Sequence, residues 1–156
     1  MLSTIDSKEV VFKVKVDLTR SRQQALWALV GYFPDIIREV ADAMPKGRRS
    51  EVEIVLFKPN FSKYGGRIFD DSLEEEYRQR GLKPVDPFSL AALNEAEPTL
   101  ALMKFHATHW KDRDGNWCHM ALYLRDRENW VSIGHPSSIW RGWADNMWFA
   151  GIRKKK

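Results

Sequence analysis

The segment that most constrains the fold is 105–124, in which two alternating, aromatic-rich runs flank Asp114-Gly115. An Asp-Gly pair between such runs is a strong signal for a β-hairpin. If the loop has four residues, Lys111 lies opposite Asn116, and this pair sets the register of the whole ribbon. We therefore expect two antiparallel strands in this register.

The predicted register divides the hairpin side chains into two faces, since neighbouring residues on a strand point to opposite sides. One face is mostly apolar and is expected to join the core: Phe105, Ala107, His109, Cys118, Met120, Leu122 and Leu124. The other face is richer in aromatic and polar groups: His106, Thr108, Trp110, Trp117, His119, Ala121 and Tyr123. A slip of one residue would mix the two sets, so their clean separation favours this register.

Hydrophobic periodicity over the whole chain predicts a mixture of helices and strands. Alternation indicates strands, and recurrence at three and four residues indicates helices. The predicted strands are 9–16, 51–57, 104–111, 116–124, 129–134 and 147–153. The predicted helices are 20–32, 35–44, 72–80 and one that begins at Asp86 and ends or bends at Pro98. We expect a single α+β domain over 1–156. Its helices lie mainly in 19–100, and an antiparallel sheet, mainly from 104–153, is joined by the two early strands.

Three predicted helix ends carry capping signals. Ser72 and Glu75 are spaced as a capping box, in which each side chain satisfies a backbone donor of the other residue. Asp86 precedes Pro87, which is typical of an N-cap followed by proline in the first turn. Gly81 lies where a left-handed C-terminal cap is expected.

The net charge of +4 is unevenly distributed along the chain. Residues 1–99 carry 15 basic and 16 acidic side chains. Residues 100–156 carry 10 basic and 5 acidic side chains, together with six of the seven tryptophans. Because basic groups neutralise phosphate and flat rings stack on bases, this third could bind nucleic acid. The alternative is a tryptophan-rich core followed by a solvated basic tail, 153–156.

Neither a membrane span nor a secretory signal is predicted. The longest runs without a charged side chain, 23–34 and 129–140, have 12 residues each, short of the roughly 18 to 20 that cross a bilayer. The chain begins without an apolar segment and reaches Asp6 at once. Its one cysteine, Cys118, excludes an internal disulfide framework, and we expect a cytoplasmic protein with no membrane partner.

The hairpin contains four potential metal ligands: His106, His109, Cys118 and His119. Zinc needs three or four ligands that converge at about 2.0 to 2.3 Å. His106 and His109 are three residues apart on a strand and point to opposite faces, so each face offers only two ligands. A site would need a further residue such as His135 or Asp145. We expect no metal and no other cofactor, and a metal-dependent hydrolase that uses the hairpin histidines stays as an alternative function.

Cys118 and His109 lie opposite each other in the predicted register, as a nucleophile and its base would. However, Met120 and Leu122 share the face of Cys118. Apolar surroundings raise the pKa of a thiol and leave it inert. We therefore interpret Cys118 as a small core residue and predict no catalytic residue.

The aromatic face of the hairpin is the predicted ligand-binding surface. It provides Trp110, Trp117, Tyr123, His106 and His119, and a later segment adds Arg141 and Trp143, which could stack on a ligand or grip an anion. Aromatic cross-strand pairs also stabilise hairpins without any ligand. We predict a non-catalytic recognition or interaction domain for a protein or small ligand, and the alternative is a nucleic-acid-binding protein that uses the basic, tryptophan-rich C-terminal third.

Short motifs of the C-terminal half resemble those of known proteins. They are Arg80-Gly81-Leu82-Lys83-Pro84, Leu90-Ala91-Ala92-Leu93, Thr108-His109-Trp110-Lys111-Asp112, Asp114-Gly115-Asn116-Trp117-Cys118 and Trp148-Phe149-Ala150-Gly151-Ile152-Arg153-Lys154. The set resembles a group of small uncharacterised bacterial proteins, and its order distantly resembles C-type-lectin-like domains. This sequence has Lys83-Pro84-Val85-Asp86 where the lectin-like pattern has Arg, Leu, Pro and Thr, and it lacks the paired cysteines of secreted members. The resemblance implies a binding scaffold rather than an enzyme.

Overall fold

The computed structural model describes residues 9–29 and 31–154. Within these residues, five helices and ten strands form an α+β fold, which confirms the predicted fold class. The helices are α1 (Arg22–Trp27), α2 (Arg38–Asp42), α3 (Asp70–Gln79), α4 (Pro87–Ala96) and α5 (Leu100–Met103). The strands are β1 (Val10–Lys15), β2 (Phe33–Ile36), β3 (Glu51–Phe57), β4 (Arg67–Ile68), β5 (Leu82–Pro84), β6 (Phe105–Lys111), β7 (Trp117–Arg125), β8 (Glu128–Gly134), β9 (Trp143–Ala144) and β10 (Met147–Arg153).

Some predictions fall outside the described residues. They concern the chain start at 1–8, Val30 within the predicted helix 20–32, and Lys155 and Lys156 of the basic tail 153–156. In the part of the chain that is described, no helix is both long enough and apolar enough to cross a bilayer.

Alternating hydrophobicity located the long strands closely. The predicted strands 51–57 and 147–153 coincide with β3 and β10. The bounds of β1, β6, β7 and β8 differ from the predicted ones by at most one residue at each end. The period of two therefore identified every strand of five or more residues among those described.

The main sheet has eight strands within the described residues, in the order β1-β3-β10-β6-β7-β8-β2, with β5 paired to β10. It is mixed and not antiparallel as predicted, because β10 runs parallel to β6 and β2 runs parallel to β8. The predicted sheet was antiparallel and came mainly from 104–153, with the strands 9–16 and 51–57 joined to it. Instead, β10 returns to the centre between β3 and β6, where Phe149 and Ala150 are completely buried.

Two predicted helices are shorter than their hydrophobic periodicity suggested. Only Arg22–Trp27 of the predicted helix 20–32 forms α1, which begins with a capping box between Ser21 and Gln24. The predicted helix 35–44 was wrong at its start, because Phe33–Ile36 pairs with β8 as strand β2. Tertiary pairing therefore overrides the local helical pattern here.

Helix α3 begins at Asp70, two residues before the predicted N-cap Ser72, so the predicted capping box does not form. The helix start is stabilised without such a cap, because the acidic residues Asp70 and Asp71 in its first turn interact favourably with the helix dipole. The other two capping predictions are confirmed. The Asp86 carboxylate accepts a hydrogen bond from the Ser89 backbone N–H at 3.0 Å, and Gly81 follows α3 with a φ of +70°.

The hairpin register differs from the predicted one by a single residue, because the loop has three residues and not four. Lys111 lies opposite Trp117. The Asp112 N–H donates to the Asn116 carbonyl at 2.9 Å and closes the loop. Gly115 adopts a left-handed φ of +81°, which is the conformation that ends a three-residue hairpin loop.

Because of this shift, the side chains of β7 lie on the opposite side of the sheet from the one predicted relative to β6. The side of the sheet covered by α4 carries His106, Thr108, Trp110, Cys118, Met120 and Leu122. The side covered by α3 carries Phe105, Ala107, His109, Trp117, His119, Ala121 and Tyr123. We call these the α4 side and the α3 side. The predicted aromatic face is therefore wrong as a single surface, since its residues are divided between the two sides.

Candidate functional site

A groove of about 1170 Å³ opens where β6 and β10 separate. The two strands run side by side over 105–107 and 147–149, and β10 then pairs with β3 and β5. Crevices beyond the carboxyl ends of parallel strands are common ligand sites. The walls of this groove come from the loop 45–49, α3, β5 and the end of β6.

Basic side chains dominate the groove. Seven line it, all of them exposed: Lys46, Arg48, Arg49, Arg78, Lys83, Lys111 and Lys154. Lys46 donates to two backbone carbonyls, Arg78 pairs with Glu75, and the Lys111 ammonium lies over the ring of Trp117. The remaining four have no side-chain hydrogen bond or ion pair within the described part of the chain: Arg48, Arg49, Lys83 and Lys154. We call this cavity the basic groove.

The acidic residues that line the basic groove all have partners within the protein. Asp86 caps α4, and Glu75 pairs with Arg78. Asp71 and Glu74 accept hydrogen bonds from side chains of the hairpin. Because the carboxylates are engaged and four cations are not, the charge available to a ligand is positive.

His109 lies at one end of the basic groove in a buried cluster. Its Nδ1 is 2.8 Å from Asp70 Oδ1, and its Nε2 is 3.1 Å from Glu74 Oε2. The ring of Trp117 stacks on the imidazole with centroids 4.2 Å apart, and Tyr77 stacks at 5.6 Å. The His109 side chain has no solvent exposure. Two carboxylates and two aromatic rings therefore hold this imidazole in place.

These surroundings stabilise the imidazolium form of His109. Burial opposes the charge, but the hydrogen bonds to Asp70 and Glu74 outweigh it and raise the pKa of His109. As an imidazolium, the ring donates through both nitrogens to carboxylates. Neither nitrogen is then free to take a proton from a substrate.

Two indole N–H groups, one from β7 and one from β9, bind the first turn of α3 beside His109. Trp117 Nε1 donates to Asp71 Oδ1 at 2.9 Å. Trp143 Nε1 donates to Asp70 Oδ1, also at 2.9 Å. Both tryptophans belong to the predicted ligand-binding set, and in the structure both use their indole N–H within the protein. The Trp143 bond orients Asp70, which contacts His109, and the Trp117 bond engages Asp71, which lines the basic groove.

His106 lies on the α4 side and is completely buried. Its Nδ1 donates to the Lys104 carbonyl at 2.8 Å, and its Nε2 accepts from Asn94 Nδ2 at 2.9 Å. Burial lowers the pKa of His106 to about 4, so the ring is neutral at physiological pH. His106 therefore anchors β6 to α4 and is not part of the groove.

His119 lies on the α3 side opposite His109, with Nε2 3.3 Å from Ser132 Oγ. Burial lowers its pKa to about 4. The predicted divergence of His106 and His109 is confirmed, since they lie on opposite sides of the sheet. The three hairpin histidines do not meet at one point, and both nitrogens of His109 are engaged by carboxylates.

The other predicted ligand-binding residues are scattered. Trp110 is half-buried on the α4 side, and Tyr123 is half-buried on the α3 side. Arg141 is exposed in the segment before β9. Of the seven predicted residues, Trp110 and Trp117 line the basic groove.

The predicted opposition of Cys118 and His109 was wrong, because the shifted register places them on opposite sides of the sheet. Cys118 is 1% exposed and belongs to the core on the α4 side, as predicted. Burial raises the pKa of the Cys118 thiol to about 11, and the negative charge of Asp112 adds to the shift. The thiol is therefore protonated at neutral pH and is not a nucleophile.

Sequence reasoning missed the residues that give the groove its charge. None of Lys46, Arg48, Arg49 and Lys83 belongs to the predicted ligand-binding set. The one local signal was the concentration of three cations within 46–49. Their convergence with Lys83 and Lys154 depends on the sheet topology.

No protein-family model, curated protein or solved structure matches this chain. The resemblance to small bacterial and C-type-lectin-like proteins therefore stays a prediction. Function has to be inferred from the chemistry of the residues in the groove.

Proposed function

We propose that this chain is a non-catalytic recognition domain that binds an anionic ligand in the basic groove. The supporting observation is the set of four exposed cations that have no side-chain partner in the described part of the chain: Arg48, Arg49, Lys83 and Lys154. Free cations around a concave surface attract an anion and form charge-assisted hydrogen bonds with it. The groove, at about 1170 Å³, accommodates a ligand with several negative groups.

A binding role fits the chemistry of the groove better than catalysis does. A general base needs a free nitrogen or oxygen within reach of the substrate. His109 is enclosed between Asp70 and Glu74 with both nitrogens occupied, and the Cys118 thiol lies outside the groove. The His109 cluster instead fixes the end of the groove and holds Trp117 in place.

The second candidate function is binding of single-stranded nucleic acid. Two tryptophans, Trp110 and Trp117, line the groove among the cations. Indole rings next to cations are typical of surfaces that bind both the bases and the phosphates of a single strand. The sequence placed the nucleic-acid-binding surface in the C-terminal third. Most basic side chains of the groove come instead from earlier in the chain: Lys46, Arg48, Arg49, Arg78 and Lys83.

We expect the groove to bind a polyanion with a strong salt dependence. Four phosphate contacts give a slope of log K against log salt of roughly −3 for a single strand. The double variant K83Q/K154Q removes two of the free cations, and we expect roughly half of that slope. Isothermal titration calorimetry with linear polyphosphate, and with an oligodeoxynucleotide of equal phosphate number, at several salt concentrations measures both quantities.

The matched control is K13Q/K15Q, which removes two exposed lysines of β1 outside the groove. It should bind like the unmodified chain. Equal affinity for the two polymers supports recognition of anions alone, and tighter binding of the oligodeoxynucleotide supports nucleic acid. Failure to bind either polymer, or equal losses in K83Q/K154Q and K13Q/K15Q, would contradict the proposal.

A further inference from the structure

Three side chains that ligate metals lie together at the loop end of the hairpin. Asp112 directly follows β6, Cys118 is the second residue of β7, and His135 directly follows β8. The pairings Trp110–Cys118 and His119–Gly134 place all three on the α4 side, with His135 next to Cys118 across the strands. Three adjacent strands therefore each deliver one potential ligand to the same point.

The distances between these ligand atoms suit a single ion. Cys118 Sγ lies 3.7 Å from His135 Nδ1. A tetrahedral zinc ion with ordinary bond lengths separates a sulfur and a nitrogen ligand by about 3.6 Å. One carboxylate oxygen of Asp112 completes the group, in which all ligand atoms lie within 4.8 Å of one another.

We propose that Asp112, Cys118 and His135 form a binding site for Zn²⁺. A thiolate, an imidazole and a carboxylate are the three ligand types that zinc accepts. Three protein ligands leave the fourth position to water, on the exposed side where His135 lies. None of the three residues lines the basic groove, so this site is independent of the proposed function.

The surroundings orient these ligands. Asp112 Oδ1 accepts hydrogen bonds from the Asp114 and Asn116 backbone N–H groups, each at 2.9 Å. Its other oxygen, Oδ2, takes no hydrogen bond within the described part of the chain and is available to the ion. Hydrogen bonds that fix a coordinating carboxylate in this way are typical of metal sites.

Metal binding requires two proton movements at this site. His135 Nδ1 lies 3.0 Å from the Trp117 carbonyl, to which it donates in this structure. Coordination through Nδ1 places the ring proton on the exposed Nε2. The Cys118 thiol releases its proton to solvent as the sulfur–metal bond forms, which is the usual exchange when a cysteine binds zinc.

Cobalt titration of the reduced 156-residue chain tests this proposal. We expect one Co²⁺ per chain, with a thiolate-to-cobalt charge-transfer band and the intense visible bands of tetrahedral coordination, and displacement of Co²⁺ by Zn²⁺. C118S should lose the charge-transfer band, and H135A should weaken binding by at least about tenfold. H135A changes an exposed residue, so loss of fold does not complicate this result.

The carboxylate ligand has a matched control within the same loop. D112N keeps an oxygen that can accept from the Asp114 and Asn116 amides but removes the charge, and we expect weaker binding by at least about tenfold. D114N removes the neighbouring exposed charge and should bind as the unmodified chain does. Absence of the charge-transfer band, equal binding by D112N and D114N, or binding that survives in C118S and H135A would overturn the proposal.

Discussion

Replacing His109 by leucine is expected to lower the free energy of unfolding by about 3–5 kcal/mol, the range found when one partner of a buried ion pair is removed. Asp70 is 4% exposed, and within the described part of the chain it would keep only the Trp143 indole as a hydrogen-bond donor. Glu74 is 43% exposed at its side chain and can regain water. The loss should therefore come mainly from the uncompensated charge of Asp70, and urea denaturation at neutral pH measures it.

A double-mutant cycle separates this charge effect from lost packing. D70N removes the buried charge and retains an acceptor for the Trp143 indole, and H109L/D70N removes both members of the pair. We expect the double variant to lose about 1–3 kcal/mol less than the sum of the two single losses. K13Q, at an exposed lysine of β1, serves as the control and should change stability by less than about 0.5 kcal/mol. Additive losses at positions 109 and 70 would show that the pair is not coupled.

The strands were predictable because their pattern is local. Strand β1 alternates between exposed positions and buried or half-buried ones over its own six residues, so periodicity is sufficient to find it. Asp86 and Gly81 were predictable for the same reason, since capping depends on the nearest residues. The parallel pairs were not predictable, because partners far apart in sequence meet only through the whole topology.

The hairpin shows how a correct local prediction can still give a wrong surface. Asp114-Gly115 correctly marked a turn, but loops of three and four residues are both compatible with it. The structure has the three-residue loop, which is closed by the hydrogen bond from the Asp112 N–H to the Asn116 carbonyl and ends at the left-handed Gly115. A shift of one residue is enough to move a whole strand's side chains to the other side.

Both candidate sites depend on contacts between distant parts of the chain. His109 meets Asp70 across 39 residues, and Cys118 meets His135 across 17. The cations of the basic groove come from the loop 45–49, α3, β5, β6 and the residue after β10. No sequence motif brings such residues together, because each segment supplies only a few of them and the topology supplies the rest.

The histidines should also give stability a maximum near neutral pH. The pKa of His106 falls from an ordinary 6.5 to about 4 on folding, so the unfolded chain takes up a proton first as the pH falls. Its contribution is present above pH 6.5 and is lost between pH 6.5 and 4, by about 3 kcal/mol at 1.36 kcal/mol per unit. His119, whose pKa is also lowered to about 4, shifts stability in the same direction.

His109 acts in the opposite direction, because its pKa is raised in the folded chain. Its contribution is complete below pH 6.5 and is lost as the pH rises through the folded pKa. Unfolding free energy should therefore fall on the acid side because of His106 and His119, and on the alkaline side because of His109. Urea denaturation in steps from pH 4 to 9 measures both limbs.

Two glutamine variants show which histidine causes the loss of stability on each side of the pH curve. H106Q keeps hydrogen-bonding groups next to Asn94 but cannot titrate, so its stability deficit relative to the unmodified chain should shrink by about 3 kcal/mol between pH 6.5 and 4. H109Q should flatten the alkaline limb and leave the acid limb unchanged. Because carboxylates titrate in all three proteins, the differences between curves isolate the imidazoles. Parallel stability curves for H106Q and the unmodified chain would mean that folding does not lower the pKa of His106. That result would contradict the effect expected from its burial against Asn94.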